Sequence, residues 1–87
     1  MYIHLGNNVM LPTSDIIGIF DLENTSISKR TRDFLNKAEK EGRVITISYD
    51  LPRSFVIAGK TLKDSKVYIS QISSQTLLKR TGYIDSL

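Results

Sequence analysis

The sequence predicts an α+β fold: a small, mostly antiparallel sheet with one central amphipathic helix and a short C-terminal helix. Three observations predict it. Between Asn24 and Gly42 the apolar residues recur at helical spacing. On either side lie short runs rich in β-branched residues, separated by Gly, Asn, Asp and Pro. The resulting order, strands then helix then strands then helix, is that of an α+β chain. The 87 residues make a single domain, 1–87, with 81–87 expected as a loosely ordered tail. A chain this short buries comparatively little surface, so self-association would help it.

Tyr2-Ile3-His4-Leu5 alternates, Gly6-Asn7-Asn8 supplies turn chemistry, and Val9-Met10-Leu11 resumes as a strand, which reads as a hairpin. Pro12 cannot donate to a ladder and so ends the second strand or lies at an edge. The dense apolar run Ile16 to Phe20 suggests a strand covered on both faces, with Gly18 marking close approach of another backbone. In the central helix, Ile27, Thr31, Phe34, Leu35 and Ala38 make the apolar stripe. Lys29, Arg30, Asp33, Asn36, Lys37 and Lys40 make the opposite, charged face. Ser26 or Ser28 can cap its start, and Gly42 can stop it in a left-handed conformation.

Arg43 to Tyr49 reads as a β-branched strand, and Asp50 to Ser54 as a loop stiffened by Pro52. Phe55 to Ala58 and Val67 to Ser70 are strands joined by a basic hairpin tip, Gly59 to Lys66. Ser73 or Ser74 can cap a last helix running to Arg80, with Thr76, Leu77 and Arg80 on one side. Tyr83 and Ile84 would be ordered only if something packs on them.

The net charge of +3 hides an asymmetry. Residues 1–24 hold no Lys or Arg, against Asp15, Asp21 and Glu23. Residues 25–87 hold all twelve Lys and Arg against six acids, a net +6. Such one-sidedness suits an anionic partner, most simply nucleic acid; the alternative is a solvated surface that keeps the protein soluble. No apolar run approaches the roughly 20 residues of a membrane-spanning helix. The opening MYIHLGNN lacks the basic stretch and apolar core of a signal peptide. The absence of cysteine excludes disulfides and thiolate metal sites and accords with a cytoplasmic address.

The residues give catalysis little to work with. His4 has no partner at a recognised spacing and reads as a strand-surface residue. Asp21 and Glu23 are too few oxygen ligands for a cation, and Asp21 is placed for a local turn hydrogen bond. Gly59-Lys60-Thr61 resembles the end of a phosphate-binding loop, but Ser54 stands where that loop needs glycine and no helix follows. No hydroxyl or amine sits in a nucleophile motif. Neither catalysis, cofactor, metal nor small-molecule substrate is therefore expected, and a hydrolase of anionic substrates is the weakest reading. Lys60, Lys63 and Lys66 could touch phosphate from the hairpin tip, and Arg53, on the Pro52 loop, could be held ready for a bidentate contact. The alternatives are a solvated hairpin and a loop arginine bonded to a local carbonyl.

The opening IHLGNNVMLPTSDIIGI, the basic helix ending KAEKEGRVITISYD, and the closing VYISQISSQTLLKR together resemble the RemA/RemB family of small bacterial regulators of extracellular-matrix and biofilm genes. The resemblance covers roughly residues 2–80 and leans to the RemB branch. It implies a non-enzymatic DNA-binding transcriptional regulator that assembles as a homo-oligomer, a ring being one form, and meets DNA on its outer surface. RemA-like chains, however, carry an arginine where this chain has Asp15, and paired arginines where it has Leu51-Pro52. DNA contact is therefore expected from Arg53, Arg43, Lys29, Arg30 and Arg32, mainly to phosphate. The alternative within the same family is a protein-interaction or structural module that has lost DNA binding.

Overall fold

Asn7 and Asn8 take positive φ, 45° and 65°, and so close the first two strands, β1 (Tyr2–Gly6) and β2 (Val9–Pro12), into a tight hairpin. The computed structural model describes residues 1–23 and 28–81. After a 3-10 turn at Thr13–Asp15 come β3 (Ile16–Asp21), α1 (Lys29–Lys40), β4 (Val44–Thr46), β5 (Ser54–Ala58), β6 (Lys66–Ser70) and α2 (Ser74–Arg80). The hairpin is a sheet of its own. The other four strands form a second sheet in the order β3-β5-β6-β4. Within it β5 runs antiparallel to both β3 and β6, while β4 and β6 are parallel.

The four-stranded sheet is covered differently on its two faces. Phe55 and Ile57 of β5 and Val67 of β6 point to α1, where they meet Ala38, Phe34 and Leu35. Val56 points the other way, into a cluster with Ile3 and Leu5 of the hairpin, Ile47 just after β4, and Leu77 of α2. Every residue of β5 is buried, as a central strand between two covered faces requires. Three serine hydroxyls lie in this interior, and each finds a partner. Ser70 Oγ donates to the Leu5 carbonyl at 2.9 Å and accepts from Ile72 N–H at 3.0 Å, tying one sheet to the other. Ser54 Oγ donates to the Ile72 carbonyl at 2.7 Å, and Ser65 Oγ to the Leu62 carbonyl at 2.7 Å.

Several sequence expectations are met. Ser28 caps α1 by accepting from Thr31 N–H at 3.2 Å, Gly42 ends it at φ 73°, and Ser73 caps α2. The charged face of α1 is exposed throughout. Ser26 and Ile27, and the tail beyond Thr81, lie outside the described residues.

Others are corrected. β4 spans only Val44–Thr46 rather than reaching Tyr49, because it follows β6 for three residues before Ser48 hydrogen-bonds Gln71 and the chain turns outward. The run Ile16 to Phe20 is an edge strand, not one covered on both faces: Ile17 is 43% and Phe20 38% exposed. The reason is that α1 sits over β4 and β6. What crowds Gly18 is not a second backbone but the Phe20 ring, whose Cε2 would lie 2.6 Å from an added Cβ. In α2 only Leu77 is buried; Thr76 and Arg80 are exposed.

Candidate nucleic-acid interface

Lys29, Arg30 and Arg32 lie in the first turn and a half of α1, directly after the Ser28 cap. Helix electrostatics oppose that placement. The first turn presents unbonded N–H groups and the positive end of the macrodipole, which favours acids there. This first turn has none. All three cations are exposed, and no ion pair engages them among the described residues. The front of α1 is thus a place where side-chain charge and backbone dipole have the same sign. Further along the same exposed face come Lys37 and Lys40, where the dipole favours them.

Arg53 is held by its backbone between two strands: its N–H donates to the Ser70 carbonyl at 2.9 Å, and its carbonyl accepts from Leu22 N–H at 3.0 Å. Its Nε donates to Glu23 Oε1. Glu23 and the nearby Asp21 raise the arginine's pKa above its ordinary value, the hydrogen bond to Glu23 contributing most. Asp21 Oδ1 in turn accepts the Glu23 N–H at 2.7 Å, the local turn bond expected of it. Local sequence carries no sign of the Glu23–Arg53 pair, because its members lie 30 positions apart. The loop before Arg53 is bare. Tyr49 is 98% and Leu51 82% exposed.

Arg43 stands apart from the other four. Its side chain is only 18% exposed and points inward. Nη1 donates to the Ser65 carbonyl at 2.7 Å, Nε donates to Glu41 Oε1 at 2.9 Å, and the guanidinium stacks 5.7 Å from the Phe34 ring centroid. This arginine fastens the hairpin tip to α1. Lys60 at that tip pairs with Asp15 at 3.0 Å. Lys63 lies beside Lys37 and Leu62 around an open hollow of about 320 Å³ between the tip and α1. His4 is exposed on β1, where its carbonyl accepts from Arg80 Nη1 at 2.8 Å. Neither helix is long and apolar enough to cross a membrane.

Lys29, Arg30 and Arg32 thus follow closely at the start of α1, and Arg53 stands directly before β5. Lys29 lies seven positions after Leu22, the backbone partner of Arg53. The chain itself therefore limits the distance between them to about 25 Å. Comparison with known proteins places the chain among small bacterial regulators. Residues 2–81 match a family described as "RemA-like: Extracellular matrix regulatory protein A-like". The chain is also 34% identical over 84 residues to Extracellular matrix regulatory protein B of Bacillus subtilis (strain 168), a match covering 97% of this chain and 94% of that protein.

Proposed function

The chain belongs to the RemA-like family of extracellular matrix regulatory proteins, on its RemB-like side, and from that premise we propose that it is a cytoplasmic, non-enzymatic regulator that binds duplex DNA as a homo-oligomer, chiefly through phosphate. One observation carries the reading: Lys29, Arg30 and Arg32 crowd the positive end of α1, whose first turn holds no acid. Folding gains nothing from that arrangement, whereas DNA phosphates running past the start of α1 would meet exposed cations, free backbone N–H groups and the positive end of the helix dipole. Repetition of this modest patch around an assembly would turn weak contacts into useful avidity. Arg53 stands before β5 with its charge already paired to Glu23, and Arg43 supports the frame from inside.

Retardation of a duplex by the intact protein tests the reading. Three phosphate contacts per subunit would make log K fall with log salt at a slope of about −2.7 for each subunit engaged. Replacing Lys29, Arg30 and Arg32 together by Gln should abolish retention and flatten that slope while the fold persists. If the unmodified protein fails to retard duplex DNA even at low salt, the reading is wrong. The second reading, a protein-interaction module of the same family, is favoured by the bare Tyr49 and Leu51 and by the acids paired to Arg53 and Lys60. It predicts that Arg53→Ala leaves DNA retention unchanged.

A further inference from the structure

Resting on the DNA-binding reading, we propose that Glu23 and Arg53 form a base-reading element. In it, Glu23 grips the guanidinium by its Nε edge and leaves the Nη1/Nη2 edge to bond O6 and N7 of one guanine in the major groove.

Each part of the pair is held in place. Arg53 is pinned through its own N–H and C=O to Ser70 and Leu22, and Pro52 restricts the residue before it. Glu23 is oriented by the bond from its N–H to Asp21 Oδ1. The carboxylate takes Nε, and among the described residues neither Nη group donates a hydrogen bond. A flexible arginine would have to be ordered when it bound. This one is already paired through Nε while its side chain stays 48% exposed, so less ordering is left to be done on binding.

Charge then decides what the fork takes. Counterion release rewards net positive charge, and Glu23 and Asp21 offset the charge of Arg53 locally. A phosphate approaching the fork would also meet the Glu23 carboxylate. The guanine edge carries no charge and offers two acceptors at the spacing of the two Nη groups. Neighbouring Tyr49, Leu51 and Pro52 bring no phosphate donors of the Lys or Arg kind. Positioning on the backbone thus falls to the front of α1, and discrimination to Arg53.

Selection from a randomised duplex pool, followed by titration of the recovered duplex, tests this with the full chain, Arg53→Lys and Glu23→Ala. The unmodified protein should enrich a guanine at a fixed position. Replacing that base by 7-deazaguanine, which lacks the N7 acceptor, should weaken binding about tenfold. Arg53→Lys keeps the charge without the fork and should bind both duplexes alike, at the weaker level, with an unchanged salt slope. Glu23→Ala should lose most of the discrimination and bind unselected DNA no more weakly than before. Retention without guanine enrichment, or a 7-deazaguanine penalty that persists in Arg53→Lys, overturns the proposal and leaves DNA binding standing. So does Glu23→Ala tightening every duplex alike, which would make the acid a brake on phosphate contact. No retention by any variant overturns both.

Discussion

Ser70→Ala offers the sharpest check on how the two sheets are joined. Ser70 is 1% exposed, and its single hydroxyl serves two backbone groups, the Leu5 carbonyl at 2.9 Å and the Ile72 N–H at 3.0 Å. Alanine leaves an acceptor in the apolar interior between the sheets and a donor in a half-buried turn. An unsatisfied buried group costs about 1–3 kcal/mol, and water can reach Ile72 more readily than Leu5, so the expected loss is about 3 kcal/mol. Against roughly 4–13 kcal/mol for a domain of this length, that is a large fraction. Urea unfolding followed by far-ultraviolet circular dichroism should show it. With a slope of about 1 kcal/mol/M, the midpoint falls by roughly 3 M. Ser54→Ala removes the bond to the carbonyl of the same Ile72, so the double variant should lose less than the two single losses combined. A Ser70→Ala protein within about 0.5 kcal/mol of the parent would show that the hydroxyl does not fasten the sheets together.

Arg43→Met keeps the aliphatic stem but removes the bond to the Ser65 carbonyl, the Glu41 pair and the stacking on Phe34. Its melting temperature should fall by about 10 °C, for a loss of roughly 2 kcal/mol, with DNA retention per folded molecule unchanged. Loss of retention at an unchanged melting temperature would instead make Arg43 a DNA contact. Gly18→Ala forces the Phe20 ring away from Phe55, on which it stacks at 4.8 Å and 12°. It should cost about 1 kcal/mol in urea unfolding, and the cost should vanish in a Phe20→Ala background; an equal cost in both backgrounds would place the strain in the backbone.

The elements were legible where local chemistry decides them. Ser28 and Ser73 announce helix starts, Asn7-Asn8 a hairpin, and the stripe through Phe34, Leu35 and Ala38 a buried helix face. Hidden were the relations set by distant partners. The apolar density of Ile16 to Phe20 resembles that of a central strand, yet position in a sheet depends on which strand lies beside it, and β5 flanks it on one side only. The tie between the two sheets runs through Ser70 meeting Leu5 across 65 positions, which no periodicity encodes. Of the candidate site, the cations of α1 were readable because a helix face is a local property. The opposite fates of Arg43 and Arg53, one facing Phe34 and Ser65 and the other gripped by Glu23, follow from contacts made only in the folded chain.

The strand order also has a consequence for synthesis. In the larger sheet only β5 and β6 are joined by a short hairpin; β3 waits for β5, and β4 for β6. While the ribosome extends the chain, β3 therefore emerges as a sticky apolar segment with no neighbour until residues 54–58 have been added. The charged helix α1, in which lysines and arginines outnumber acids, follows it out of the exit tunnel, and such an excess of charge beside an apolar segment holds nascent chains apart.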